Sequence, residues 1–380
     1  MGRRKLHILF INSWYPSKIL PNNGDFIQRH AEAVATKHKV TAMHVITSNS
    51  ILKNEITDEN INGVRTLITY LKPVKNILSK QIQFFIAYKK LVSLSGDFDL
   101  VHVNRLFPVG IIAVWLKLFY SKPYIITEHF TGYLKPQSKY LNKGEKVLSK
   151  IITRQSSYVC PVSENLALNM QNIGMKGKYK VVENIVDTEE FQPFKKKKDT
   201  YTLIHVSSLV DNHKNITGIL HVIGQLQNHL PDFLFYLIGD NPFQYQKLID
   251  KLHIDPKNIR LIDQIPHQKV AAYIQGSDVM LMFSNYENLP CVILEAFSCG
   301  TKVISTDVGG ISEHFPSDFG KLITAKDEKE LLNSILELYK EKENKQKGKM
   351  HQYAKDHFSK EKISSDFSDL YYKILEVNSR

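Results

Sequence analysis

Short aliphatic runs alternate with longer stretches of helical periodicity along all 380 residues of the chain. In the first half the runs are 6–11, 40–46, 100–103, 124–127, 158–161 and 180–182; in the second they are 201–207, 233–238, 259–262, 278–283 and 302–306. Continuous apolar runs of this length suit strands buried on both faces, and their alternation with helices predicts parallel sheets covered on both sides. The rhythm breaks at residues 191–200, FQPFKKKKDT, where a proline and four successive lysines mark a solvated linker. The fold class expected is therefore α/β, with two Rossmann-like domains at 1–190 and 200–355. In the tail, 356–380, Phe358, Ile363, Phe367, Leu370, Tyr371 and Ile374 recur every three or four residues. That spacing is an amphipathic helix in need of a surface, expected to return to the first domain.

Composition agrees with two ordinary cores: 380 residues exceed what one core serves, and 43% of them are apolar. No run reaches the roughly 18 apolar residues of a membrane span. The opening MGRRKLHILFINSWYP breaks at Asn12 and Pro16, so it reads as a first buried strand and not as a signal peptide. Cys160, Cys291 and Cys299 form an odd set without paired spacing. They argue against a disulfide framework or a thiolate metal site and point to a reducing cytoplasm.

Charge changes the picture more. The net +12 divides into 30 Lys and Arg against 14 Asp and Glu over residues 1–198, giving +16, and 20 against 24 over the rest, giving −4. A strongly basic half suits nucleic acid, phospholipid or a phosphorylated acceptor, or serves solubility alone. Nucleic acid is disfavoured, because the basic residues are not interleaved with a stacking aromatic platform. Lys143, Lys146, Lys150 and Arg154 recur every three or four residues beside Leu148, Ile151 and Ile152, a helical stripe that suits the inner face of an anionic membrane or a solvated face.

Ligands of open parallel sheets bind beyond the carboxyl ends of the strands, so residues that follow a strand carry the functional signal. After 6–11 comes a turn-rich loop containing Asn23-Gly24, where glycine permits close backbone approach or merely a turn. After 124–127 come Glu128 and His129, an ionisable pair. After 201–207 comes Ser208 and then Lys214, placed to meet a phosphate at the start of a helix over 216–226.

After 278–283 comes the densest stretch, SNYENLPCVILEAFSCGTKVISTDVGGISEHF. Pro290 suits a first helical position, leaving the amides of Val292 and Ile293 to face an anion. Glu287 precedes this helix and Glu295 lies about two turns into it, two carboxylates able to accept paired bonds from vicinal hydroxyls. Glu295 lies among Val292, Ile293, Leu294, Ala296 and Phe297, where an ionised group is costly without a ligand or cation beside it. Gly309-Gly310 offers unobstructed amides as a second anion nest.

These residues resemble the retaining family 4 glycosyltransferases of the GT-B fold, whose hallmark is a Glu, seven residues, then a Glu. Tyr286-Glu287-Asn288-Leu289-Pro290, Leu294-Glu295-Ala296, Ser298-Cys299-Gly300, the strand and turn from Val303 to Gly310, Glu183-Asn184-Ile185-Val186-Asp187 and the first loop from Trp14 to Glu32 resemble family motifs, with Asn288 where glycine is usual and a single Asn-Gly in place of Gly-Gly in the first loop. The resemblance implies two Rossmann-like domains facing a cleft, the first binding acceptor and the second donor. It implies transfer of a sugar, with retention and without a metal or other cofactor, from a UDP-, GDP- or other nucleoside diphosphate sugar. The acceptor it implies is a hydroxyl of a glycan, glycolipid or lipid-linked molecule.

By the same resemblance Glu295 holds the ribose and Glu287 the transferred sugar. Asn288, Leu289 and Pro290 support sugar and diphosphate, with Gly24 contributing; His129 lies beside the sugar, and Lys214 neutralises the diphosphate. Ser208 stands where the family carries an arginine, and His213 is a candidate substitute. A sugar-nucleotide epimerase of the same fold and a non-enzymatic sugar-nucleotide or nucleic-acid binder remain the alternatives.

Overall fold

A computed structural model describes residues 3–194, 200–341 and 344–378; the lysine run 195–198 lies outside the described residues. The chain divides into two compact units, residues 1–185 with 360–380, and residues 186–359.

The first unit holds a seven-stranded sheet. In chain order its strands are β1 His7–Asn12, β2 Lys39–Thr47, β3 Glu55–Ile61, β4 Val64–Leu71, β5 Leu100–Asn104, β6 Tyr124–Glu128 and β7 Tyr158–Pro161. Their spatial order is β3-β4-β2-β1-β5-β6-β7. All pairs are parallel except the β3–β4 hairpin at one edge. Every side chain of β1 and β5 is buried, as strands covered on both faces require.

The hairpin is absent from the expected run of strands. Its turn, Asn62-Gly63, has φ of 51° and 83°, the double left-handed geometry of the tight turn that Asn-Gly favours. Residues 180–182 are not a strand; they run beside β7 with a single bridge, Val159 to Tyr179. The returning helix Lys360–Asn378 belongs to this unit: Ile363, Phe367, Leu370, Tyr371 and Ile374 enter the core formed by β1, β5 and the helix Asp25–Ala35. Tyr371 Oη lies 2.7 Å from His102 Nδ1.

The second unit holds β8 Tyr201–Ser207, β9 Phe233–Gly239, β10 Ile259–Ile262, β11 Val279–Met282, β12 Lys302–Thr306 and β13 Gly320–Ile323. They form a wholly parallel sheet ordered β10-β9-β8-β11-β12-β13. Counted within the unit this is the 3-2-1-4-5-6 order of the doubly wound fold, and it reverses direction between β8 and β11. Phe358 closes the helix Lys347–Phe358 of this unit, so the tail's apolar stripe is shared between the two units.

Candidate functional site

The loops that leave β8 and β11 meet at the reversal point of the second sheet. After β8, Ser208 is exposed, and Leu209 is left-handed at φ 53°, held by its N–H on Ser207 Oγ at 3.0 Å and by Tyr245 Oη donating to its carbonyl at 2.7 Å. A single helical turn, Asp211–Lys214, then carries the chain to the helix Ile216–Leu226. The loop after β11 zips onto this turn: the Asn285 amide donates to the His213 carbonyl at 2.8 Å, and Asn285 Nδ2 to the Asn212 carbonyl at 3.1 Å. Tyr286 stacks on His213 with ring centroids 4.3 Å apart and planes within 5°.

That zipper delivers Lys214 to Glu287. Lys214 Nζ donates to Glu287 Oε1 at 2.5 Å, and His213 Nε2 lies 3.5 Å from Oε2. Glu287 is only 4% exposed. Burial pushes its carboxyl upward, but Lys214 and then His213 outweigh burial and hold it at about 2. An ionised carboxylate and its cation are thus presented together, ready to exchange partners with a ligand that carries both hydroxyls and phosphate.

Gly309 explains how the next turn reaches this loop. It is left-handed at φ 65°, and a Cβ there would fall 1.7 Å from the Glu287 carbonyl oxygen. The Gly310 amide donates to the Asn288 carbonyl at 3.0 Å. This corrects the reading of Gly309-Gly310 as an open anion nest: the second amide is already used to brace the Glu287-Asn288 loop. Asn288 and Leu289 are buried beneath it.

Pro290 also differs from expectation. Its ψ of 126° places it one residue ahead of the helix Cys291–Cys299, and its carbonyl accepts the Ile293 amide at 3.2 Å. One of the two amides expected to face an anion is therefore engaged within the first turn. Gly300 ends the helix in the left-handed conformation, φ 69°.

Glu295 is 1% exposed, and its Oε1 lies 2.8 Å from His267 Nε2. His267 opens the helix His267–Gln275 and packs against Phe191, ring centroids 4.9 Å apart. The two glutamates thus have different partners, Lys214 with His213 for one and His267 for the other. His267 escaped the sequence reading, although it follows β10 closely at the same edge of the sheet.

The remaining candidates lie in the first unit. Gly24, at φ 78°, caps the helix Asp25–Ala35; a Cβ would fall 2.7 Å from the Trp14 carbonyl carbon. His129 is buried between Phe26 and His30, with centroids 4.6 and 5.5 Å away. Burial, reinforced by His30 and His102, holds it well below the usual imidazole range, so it is neutral.

Glu128 is no open partner for His129. Its Oε1 accepts the His129 and Phe130 amides at 2.8 Å, and its Oε2 accepts the Leu106 amide at 2.9 Å. Burial raises its carboxyl despite these bonds. The role of Glu128 is to tie together the loops after β5 and β6.

In the stripe at 143–155, Lys143, Val147, Lys150, Ile151 and Arg154 are exposed, whereas Ile152 is buried. Among the described residues no helix is long and apolar enough to cross a membrane.

Comparison with known proteins agrees with these motifs. The family model described as Glycosyltransferase Family 4 matches residues 26–190, and that described as Glycosyl transferases group 1 matches residues 186–357. An uncharacterised glycosyltransferase of Methanocaldococcus jannaschii is 26% identical over 330 residues, 86% of this chain and 88% of that protein. Sucrose-phosphate synthase of Thermosynechococcus elongatus has the same fold, with a TM-score of 0.80 at 18% identity over 98% of this chain and 100% of that one. Anabaena HepE in complex with UDP-glucose superposes with a TM-score of 0.75 at 16% identity, covering 97% of this chain and 100% of that one. The chain belongs to the family 4 glycosyltransferases of the GT-B fold.

Proposed function

We propose that the protein transfers a sugar from a nucleoside diphosphate sugar to a hydroxyl of a glycan, glycolipid or lipid-linked acceptor, with retention of anomeric configuration and without a metal. The observation that carries this reading is the buried Lys214–Glu287 pair at the reversal point of the second sheet. A diphosphate arriving there competes for the Lys214 ammonium, and the carboxylate it releases is free to accept the hydroxyls of the sugar. Charge that develops on the departing diphosphate then meets a cation already in place, so little reorganisation is needed at the moment of bond cleavage.

Glu295, oriented by His267, serves the ribose diol in this reading. His213, stacked on Tyr286 beside Lys214, supplies the second basic group in place of the arginine that Ser208 lacks. On the first unit, Gly24 and neutral His129 keep the roles that the family resemblance gives them. Peripheral contact with an anionic membrane is assigned to the exposed face of Lys143, Lys150 and Arg154 with Val147 and Ile151. Wild-type binding to anionic liposomes should exceed binding to neutral ones; equal weak binding to both removes this part.

Slow hydrolysis of the donor in the absence of acceptor tests the reaction. Proton NMR of the first turnovers should show the released sugar in the anomeric configuration of the donor. Release of the opposite anomer contradicts retention, and conversion of one nucleotide sugar into another selects epimerisation.

A further inference from the structure

The first sheet also has a reversal point, between β1 and β5, and it is occupied by Arg105. The two strands lie side by side while β2 extends one way and β6 the other. Arg105 follows β5 directly, and the turn after β1 meets it: the Ser13 amide donates to the Asn104 carbonyl at 3.2 Å, and Ser13 Oγ donates to the Arg105 carbonyl at 2.9 Å.

Arg105 is left-handed, φ 60°, a conformation that a residue with a Cβ adopts only when its surroundings impose it. They do so here. Its own amide donates to the Thr127 carbonyl at 2.9 Å, and the next amide, of Leu106, is held by buried Glu128. This backbone aims the guanidinium between two aromatic rings. Its central carbon lies 4.3 Å from the Trp14 ring centroid and 4.5 Å from that of Phe130. Gly24 lies close against the Trp14 backbone, leaving no room there for a Cβ, and Phe130 is anchored through its amide on Glu128.

Of the guanidinium nitrogens, Nη1 donates to the Phe107 carbonyl at 3.1 Å, and Nε is buried without a hydrogen-bond partner. Among the described residues no carboxylate forms a hydrogen bond or ion pair with Arg105; the nearby Glu128 feels its charge, but spends both oxygens on backbone amides. A partly buried, aromatically clamped guanidinium with no carboxylate hydrogen-bonded to it, at the point where a parallel sheet opens its crevice, is equipped to receive a carboxylate or phosphate. A lysine would give the charge without the planar fork or the stacking.

We propose that Arg105, clamped by Trp14 and Phe130, is an oxyanion receptor that binds the carboxylate or phosphate of an acidic sugar acceptor. The acceptor role rests on the transferase reading; anion binding itself does not.

Trp14 reports on the site directly. The chain has two tryptophans, Trp14 and Trp115, so Trp115→Phe in the full-length chain leaves Trp14 as the only one. Inorganic phosphate and acetate are titrated separately at constant ionic strength, with chloride as control, while Trp14 emission is followed. A saturable change with phosphate or acetate, absent with chloride, is expected; phosphate alone indicates a phosphorylated acceptor and acetate alone a carboxylic acid. Arg105→Gln in this background should weaken that binding at least about tenfold, with Arg105→Lys in between. A response no different from chloride overturns the proposal, and so does undiminished anion binding by a folded Arg105→Gln protein. Should that variant not fold, the wild-type comparison with chloride and the Arg105→Lys titration still decide. Hydrolysis of nucleotide sugars by the same preparation is measured in parallel: cleavage without anion binding removes only the receptor, and anion binding without cleavage removes only its acceptor role.

Discussion

Lys214 and Glu287, 73 residues apart in the chain, are joined by a 2.5 Å contact between Nζ and Oε1 at the reversal point of the second sheet. Neither partner is well solvated, with side-chain exposures of 12% and 5%. Removing one member of a buried pair leaves a desolvated charge, whereas removing both does not. Lys214→Ala should therefore destabilise the second unit by about 3 kcal/mol, less any share that His213 takes over, and Glu287→Gln added to it should restore most of that loss. Urea unfolding of the two single variants and the double variant measures the coupling.

The same pair sets one part of the acid response. Glu287 is held at about 2 in the folded chain against an ordinary 4.5, so its contribution is fully present above pH 4.5 and is lost as pH falls towards 2. That difference corresponds to on the order of 3 kcal/mol. Glu287→Gln should flatten the dependence of stability on pH in this window and leave its slope near neutrality unchanged.

Buried histidines act at higher pH. In the first unit burial lowers His30 and His44 to about 4 and places His102 and His129 well below the usual range; in the second it lowers His205 to about 4. These groups bind protons in the unfolded chain before they do so in the folded one, so stability is present above pH 6.5 and falls as pH drops from 6.5 towards 4. Each shift from 6.5 to about 4 amounts to about 3 kcal/mol by pH 4, so those of His30 and His44 together are comparable with the roughly 5–15 kcal/mol of a typical domain. The first unit should therefore lose its structure between pH 6 and 4, before the second. Both tryptophans lie in the first unit, so their fluorescence should change at higher pH than the circular dichroism of the whole chain.

Gly309→Ala tests the brace under the Glu287-Asn288 loop. The added Cβ would meet the Glu287 carbonyl oxygen at 1.7 Å in a left-handed backbone, so the loop must move. The expected result is a loss of about 1–3 kcal/mol with a fall in donor turnover, while Gly348→Ala, at a position with open space around it, should leave turnover unchanged.

Glu295 and His267 make a separate claim about the nucleotide. If Glu295 accepts the ribose hydroxyls, wild-type protein should prefer a ribonucleoside diphosphate to its 2′-deoxy form by about tenfold, and Glu295→Ala should abolish the preference. His267→Ala should reduce it in part. Calorimetric titration of the two nucleotides provides the comparison.

Much of the architecture is legible in the sequence because buried parallel strands write themselves as continuous apolar runs. The β3–β4 hairpin is less so, since its outer strand, EITDENI, is mostly exposed and polar; Asn62-Gly63 and the buried run VRTLITYL that follows are its traces in the sequence. Glu287, Glu295, Lys214 and Gly24 stand out by their place after strands or by motif. What they do to one another does not. The Lys214–Glu287 contact depends on Asn285 zipping two loops together, and Gly309 and Gly310 brace a loop some twenty residues away in place of forming an open nest. Arg105, in a loop, and His267, the first residue of a helix, are single residues whose character comes from the aromatic rings and the carboxylate that the fold sets beside them.

The central claim, that the Lys214–Glu287 pair forms the donor site of a glycosyltransferase, is tested most directly by a hydrolysis assay on a panel of UDP-, GDP- and ADP-sugars. Wild type should bind and slowly cleave at least one of them, and Glu287→Ala in a folded protein should cut that cleavage at least about a hundredfold. Absence of binding and cleavage across the panel, or cleavage that Glu287→Ala leaves untouched, would contradict it.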